Sequence, residues 1–219
     1  MVKFKEPFNG LSHLAGSLAA IVVTVLLIRA AALRGGASAI LPFLVYGLSM
    51  VLLFSASAWY HLLDVGPRAH VRLRRLDHIS ISILIAGTYT PICVVALGGR
   101  TGTVLLWGVW GLAGAVILTD VFWLDAPRGL KAALYVLLGW VAVWAMVPLQ
   151  RAIGWNGMAW MLAGGLAYSG GAVLYAIKRP NPWPGVIGFH EIWHLFVLAG
   201  SASFVVLIWR YVLPLVRVR

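Results

Sequence analysis

The sequence predicts an all-α integral membrane protein, a seven-helix transmembrane bundle with a cytoplasmic amino terminus and a carboxyl terminus outside. The 219-residue chain is 62% hydrophobic with a mean hydropathy of +0.93, whereas a soluble domain is only about half apolar. Only 11% of its residues are charged. Because a span needs about 20 apolar residues, this length holds roughly seven spans in one domain, residues 1–219, and leaves no room for an extramembrane domain.

Seven apolar segments, separated by charged residues, glycines and prolines, are the predicted spans. The loops between them are short, so consecutive helices must run antiparallel as neighbours. The first segment follows lysines as a signal peptide would, but it is too long for one and is predicted to be retained. The predicted spans cover about residues 11–33, 39–63, 76–97, 103–124, 130–149, 158–177 and 186–213.

Lysine and arginine are distributed unevenly between the two sides of the predicted bundle. Ten lie on the amino-terminal side: Lys3, Lys5, Arg68, Arg72, Arg74, Arg75, Arg128, Lys131, Lys178 and Arg179. Four lie on the other side before the tail, Arg29, Arg34, Arg100 and Arg151, and the tail adds Arg210, Arg217 and Arg219. Cytoplasmic loops carry the excess of such residues, so the amino terminus is predicted to be cytoplasmic and, with seven spans, the carboxyl terminus to be outside.

The net charge of +11 is therefore explained mainly by the lysines and arginines that orient the chain in the membrane. In a soluble protein it would suggest nucleic acid, but in a multi-pass membrane protein loop cations orient the chain and touch anionic headgroups. We expect membrane lipids and no nucleic acid as partners, in the cell membrane, and the sequence indicates no protein partner.

A few ionisable residues lie at the ends of predicted spans. His61 closes the second span, Asp77 opens the third, and His190 and His194 open the seventh. Odd-numbered helices leave the cytoplasm and even-numbered ones return to it, so all four residues are predicted at the inner membrane boundary. Ionisable groups are costly in lipid and are candidate functional sites.

The spacing of these residues favours a metal site. Residues four apart share one helix face, which aligns His190 with His194 and, on the second helix, Ser57 with His61. The single cysteine, Cys93, excludes a multi-cysteine site. Three histidines with one open position are typical of catalytic zinc, although imidazole also suits iron, copper and nickel.

Asp77 and Ser57 complete the predicted zinc site, and zinc is the only cofactor that we expect. In this interpretation Asp77 is an acceptor behind the metal or a general base, and Ser57 helps to orient the water. Zinc lowers the pKa of its bound water to about 7, which makes hydroxide available at neutral pH.

Residues before and within the first span also lie at the predicted inner boundary and are possible secondary members of the site. Asn9 or Ser12 is expected to cap the first helix, since such side chains accept from exposed amides at a helix start. Glu6 is expected either to pair with an arginine or to hold the amino-terminal segment against the site. His13 has no more specific assignment.

Two further polar residues receive structural interpretations. Asp120 lies near the inner end of the fourth span, where pairing with Arg128 or Lys131 is expected. His78 follows Asp77 and so points about 100 degrees away around the helix, which favours a structural or headgroup-facing position over the metal site.

At these positions the chain resembles the haemolysin III family, the bacterial branch of the progestin and adiponectin receptor superfamily. The matching motifs are Glu6-Pro7-Phe8-Asn9-Gly10-Leu11-Ser12-His13, Ser57 to His61, Asp77-His78 on to Ala86-Gly87-Thr88-Tyr89-Thr90-Pro91, and His190 to His194 continuing to Gly200-Ser201. The resemblance implies a bacterial protein with a cytoplasmic amino terminus and kinship with membrane ceramidases. It also implies zinc bound by His61, His190 and His194, with Asp77 and Ser57 contacting its water.

One departure from the family pattern is visible. Another histidine is expected shortly after Gly200-Ser201, where this chain has Ala202, Ser203 and Phe204. A role of that histidine cannot be transferred to this chain, although the three expected ligands are present.

Three functions fit the sequence. The main hypothesis is a zinc-dependent hydrolase of a lipid amide or ester, and the alternative is a non-enzymatic sensor of lipid or membrane state with a structural zinc. The third is an intramembrane zinc protease, because His190 to His194 reads H-E-x-x-H, with Glu191 as general base. Little chain follows that motif to supply a further ligand. A toxin is not expected, since a small helical bundle gives the haemolytic family name no physical basis.

Overall fold

The computed structural model describes residues 5–183 and 186–216, and all regular secondary structure in these residues is helical. Lys3, Arg217 and Arg219, which the charge count includes, lie outside them. The helices are α1 (Pro7–Gly35), α2 (Ile40–Leu62), α3 (Pro67–Pro91), α4 (Gly99–Phe122), α5 (Arg128–Trp140), α6 (Met146–Ile177) and α7 (Phe189–Leu207). Short 3₁₀ or π turns precede α2, extend α3 and α7, and join α5 to α6 through Val141–Ala145.

Six helical segments in the described residues are long and apolar enough to cross a membrane. They are Pro7–Gly35, Ala37–Leu62, Pro67–Leu97, Gly99–Phe122, Arg128–Ile177 and Phe189–Leu215. The count differs from the predicted seven because the predicted fifth and sixth spans fall within one 50-residue segment, Arg128–Ile177.

This long segment is a helical hairpin. At Gly154 the backbone leaves the helical region, with φ of 67° and ψ of 175°, a conformation that suits glycine because it lacks Cβ. The Trp140 Nε1–H donates to Ser169 Oγ at 2.8 Å across 29 residues, which a straight helix would separate by about 44 Å. The chain therefore folds back near Gly154, and its two arms pack against each other.

The third helix begins earlier than predicted. It starts at Pro67, whereas the predicted span begins at residue 76, so most of the expected loop 64–75 is helical. Apolarity marks only the part of a helix that suits lipid, and arginine and leucine are good helix formers outside it. Proline is favoured in the first turn of a helix. Asp77 consequently lies about three turns into α3 and does not open it.

The packing leaves apolar side chains on the outside and brings the ends of three helices together. Trp107 is 72% exposed and Phe122 82% exposed, as expected of side chains that face lipid. Helix α1 packs against α2 and α7, and the backbone N–H of Glu6 donates to the carbonyl of His61 at 3.0 Å. The start of α1, the end of α2 and the start of α7 therefore meet.

Candidate metal centre

Three imidazoles converge where these helix ends meet. His61 comes from the last turn of α2, and His190 and His194 come from the first turns of α7. One nitrogen from each ring lies within 4.8 Å of the others. His61 and His194 are each only 2% exposed, while His190 is partly exposed. This group could hold a metal ion.

Glu6 is the partner that orients His61. The His61 Nδ1 lies 2.7 Å from Glu6 Oε2, so it donates to the carboxylate and leaves Nε2 as the ring's acceptor atom. This hydrogen bond lowers the pKa of Glu6 to about 2, against the raising effect of partial burial, and Glu6 is ionised at neutral pH. Of the two positions expected for Glu6, the structure has the one against the site.

Asn9 ties the start of α1 to the start of α7. Its Nδ2 donates to Glu6 Oε2 at 3.1 Å and to Glu191 Oε1 at 3.0 Å. The prediction that Asn9 or Ser12 caps α1 is wrong, because the helix already begins at Pro7 and no side chain caps it. Asn9 is instead buried inside the first turns, and the Ser12 hydroxyl donates to the carbonyl of Asn9 at 3.0 Å.

Glu191 lies in the same network and serves the start of α7. Its Oε2 accepts from the backbone N–H of Gly188 at 2.8 Å, and its Oε1 accepts from Asn9. A carboxylate near a helix start also interacts favourably with the helix dipole. Both oxygens of Glu191 are thus bonded at the helix terminus, an arrangement that disfavours its use as the base of an H-E-x-x-H protease.

His13 lies directly behind the three-histidine group. Its ring centroid is 4.0 Å from that of His194 and 5.1 Å from that of Phe54. The side chain is buried, and neither ring nitrogen has a hydrogen-bond partner in the described residues. His13 is outside the three-histidine group itself, so it packs against a candidate ligand.

Asp77 and Ser57 line one large cavity together with His13, His190 and His194. The cavity measures about 900 Å³, the upper end of the range for small-molecule sites. Its lining on α3 and the π turn that follows runs from His70 to Ile92, about 33 Å along the helix. His13, His190 and His194 thus border a long, mainly apolar space.

A second polar cluster joins α3, α4 and α5. Asp120 is fully buried and accepts from Lys131 Nζ at 2.8 Å, which confirms the expected Asp120–Lys131 pair. The Tyr135 hydroxyl lies 3.0 Å from Asp120 Oδ2, and Lys131 Nζ also lies 3.0 Å from His78 Nδ1. His78 thus belongs to this cluster. Tyr135 was not predicted, although its position four residues after Lys131 places both on one helix face.

These features define a multi-pass helical membrane protein with a largely buried three-histidine group beside a large cavity. The chain belongs to the haemolysin III family: residues 1–205 match the family described as Haemolysin-III related. As a member of this family it is a multi-pass cell-membrane protein.

Individual relatives extend the similarity to the wider superfamily. The chain is 37% identical over 210 residues to hemolysin-3 of Bacillus cereus, covering 96% of this chain and 93% of the relative. It is 31% identical over 183 residues to the heptahelical transmembrane protein ADIPOR2 of Oryza sativa subsp. japonica, covering 74% and 78%. It is 26% identical to an adiponectin receptor protein of Drosophila melanogaster, covering 90% of this chain and 48% of that protein.

Proposed function

We propose that the protein is a zinc-dependent hydrolase that cleaves an amide or ester bond of a membrane lipid. The observation that carries the proposal is the convergence of His61, His190 and His194, of which His190 and His194 line a cavity of about 900 Å³. A carboxylate, Asp77, lines the same cavity. Three imidazoles, a nearby carboxylate and a long apolar space are the parts that lipid hydrolysis needs.

The histidine group fits zinc. Zinc–nitrogen bonds are about 2.0–2.1 Å long, so two nitrogens on one zinc lie at most about 4.2 Å apart. The candidate nitrogens lie within 4.8 Å, so small side-chain rotations suffice. The ligand set is all nitrogen, and the Glu6 carboxylate on His61 Nδ1 is the hydrogen-bonding partner that zinc-binding histidines commonly have.

Each residue then has a defined task. When bound, zinc acidifies a water molecule and polarises a carbonyl group, which is the chemistry that hydrolysis at neutral pH requires. Glu6 holds the His61 ring so that Nε2 faces the group. Asp77 takes the proton from the attacking water, and the Ser57 hydroxyl orients that water. The apolar cavity holds the hydrocarbon chain and keeps bulk water away.

The proposal includes seven spans, a cytoplasmic amino terminus and an external carboxyl terminus. Each arm of the hairpin folded at Gly154, residues 128–153 and 155–177, exceeds the about 20 residues that a span needs. With two crossings there, the six segments provide seven spans. The basic residues near the ends of α3, α5 and α6 then lie on the cytoplasmic side, which puts the histidine group at the inner boundary.

A comparison of two carboxylate variants tests the mechanism. We expect Asp77→Ala to retain zinc and lose at least about 100-fold in turnover on a panel of lipid amides and esters, because a general base contributes 10²–10⁴-fold. Glu191→Gln is the matched control and should retain most activity. If Glu191→Gln abolishes hydrolysis while Asp77→Ala leaves it intact, the assignment of Asp77 fails and a protease-like mechanism replaces it.

The second candidate function is a non-enzymatic sensor of lipid or membrane state with a structural zinc. It is favoured by the name of one relative, an adiponectin receptor, since reception requires no turnover. The same experiment separates the two functions. Stoichiometric zinc in the wild type without turnover of any lipid amide or ester would favour the sensor.

A further inference from the structure

The cluster around Lys131 presents unused hydrogen-bond donors to the cavity. An ammonium group has three N–H donors, and two are directed to Asp120 Oδ1 at 2.8 Å and His78 Nδ1 at 3.0 Å. Lys131 is 6% exposed and is one of the residues that line the cavity. The third donor is therefore available to a ligand there.

His78 supplies a second donor. Because an ammonium can only donate, the Nδ1 of His78 accepts from Lys131, and the ring proton lies on Nε2. The carboxylate of Asp120 is too far from this Nδ1, at 3.7 Å, for a hydrogen bond. His78 also lines the cavity, whereas Asp120 is fully buried behind it. The two donor residues of the cluster thus line the cavity, and its carboxylate does not.

The cavity-lining face of α5 changes from cationic to apolar along its length. Arg128 lies one turn before Lys131 on the same face, and its guanidinium stacks 5.2 Å from the ring of Tyr175. Within the described residues no carboxylate is in ion-pair distance of Arg128. Farther along, the lining on α5 and the turn after it includes Val136 and Val143. This order matches a ligand with an anionic head and a hydrocarbon chain.

We propose that Lys131 and His78 form a binding subsite for the phosphate group of an amphiphile whose hydrocarbon chain lies in the apolar part of the cavity. Phosphate offers three acceptor oxygens, which match separate donors on Lys131, His78 and Arg128 better than the two oxygens of a carboxylate. The inference rests on the proposed function in taking a membrane lipid as the ligand of this cavity, but it does not require hydrolysis.

Calorimetric titration of the full chain, purified in dodecyl maltoside, tests this subsite with three probes. They are dodecyl phosphate, 1-dodecanol and inorganic phosphate. We expect dodecyl phosphate to bind at least about tenfold more tightly than dodecanol, since hydrogen bonds to a charged group are stronger than those to a neutral hydroxyl. Inorganic phosphate should bind more weakly still. If dodecanol binds as tightly as dodecyl phosphate, the phosphate group contributes nothing and the phosphate subsite is refuted. If inorganic phosphate binds as tightly as dodecyl phosphate, the hydrocarbon chain contributes nothing and the claim that the ligand is an amphiphile is refuted.

Variants locate the binding. Lys131→Met alone leaves Asp120 buried without its partner, so the test uses the charge-balanced Lys131→Met/Asp120→Asn pair and, separately, His78→Leu. Each should weaken dodecyl phosphate binding at least about tenfold and leave dodecanol unchanged. Lys178→Met, which removes an exposed cation outside the cavity, is the matched control and should bind as the wild type does.

His194→Ala separates this subsite from the histidine group. It should lose the metal and keep dodecyl phosphate binding. If it loses that binding while the Lys131→Met/Asp120→Asn variant keeps it, the phosphate binds at the histidines and the inference is wrong. Because binding is measured without turnover, a failure of the hydrolase proposal leaves this result interpretable.

Discussion

Removal of the Glu6 carboxylate should weaken metal binding through His61, which Glu6 contacts. The Glu6 Oε2 accepts from His61 Nδ1 at 2.7 Å, and it is the carboxylate partner of a ring that is only 2% exposed. Loss of such a partner costs 10–100-fold in metal affinity, or about 1.4–2.8 kcal/mol. We expect an apparent zinc Kd for Glu6→Ala that is higher by this factor.

A graded series makes this prediction specific. Glu6→Gln keeps an acceptor oxygen for His61 but loses the charge, and a neutral hydrogen bond is about half as strong as a charge-assisted one. Its zinc Kd should therefore rise by only about 3–10-fold. The control is Asp125→Ala, which removes an exposed carboxylate paired with Arg74 and should leave the Kd unchanged.

The assay is zinc competition against a chromophoric chelator, with folding checked by circular dichroism. If folded Glu6→Ala binds zinc with a Kd within twofold of that of the wild type, the orienting role of Glu6 is refuted. An equal loss for Asp125→Ala would show that the effect is general destabilisation and would refute the role as well.

Three further predictions concern the bundle. Asp120→Ala should lower the free energy of unfolding by about 3–5 kcal/mol, because Lys131 then remains as an unpaired buried charge; thermal unfolding in detergent measures this, and an unchanged midpoint contradicts it. Tyr89→Phe removes a hydroxyl that bonds two backbone groups near the end of α5 and should cost about 1–3 kcal/mol by the same measurement. With the native cysteine replaced by serine, Asn156→Cys should react with an impermeant maleimide on intact cells, and Arg179→Cys only after permeabilisation. Labelling of both from one side would refute the two crossings of the hairpin.

The membership of the histidine group followed from topology and helix periodicity. In the predicted topology His61 ends a returning helix, and His190 and His194 begin a departing one, so their common depth requires only the order of the spans. Their common helix face requires only the four-residue spacing. The order of the spans and the spacing of residues along a helix can both be read directly from a sequence.

The start of α3 and the hairpin show what apolarity cannot predict. The arginine-rich turns after Pro67 are helical because helix formation does not require lipid, so a span and a helix need not share their ends. The fold at Gly154 depends on a single positive φ and on long-range packing such as the Trp140–Ser169 bond. No local pattern encodes that contact.

The partner residues around the site were the least predictable part. Glu6 was expected near the inner boundary, but its contact with His61 spans 55 residues. Asparagine is a residue type that often caps helices, but Asn9 lies inside α1, where it bridges Glu6 and Glu191. Such contacts depend on how α1 packs between α2 and α7, which the sequence leaves undetermined.

The metal content of the purified wild-type protein tests the central claim most directly. Inductively coupled plasma mass spectrometry on protein purified without added metal should find about one zinc per chain, and His194→Ala should lower this at least tenfold. Zinc well below stoichiometry in folded wild-type protein, or zinc unaffected by His194→Ala, would contradict the claim that these three histidines form a zinc site.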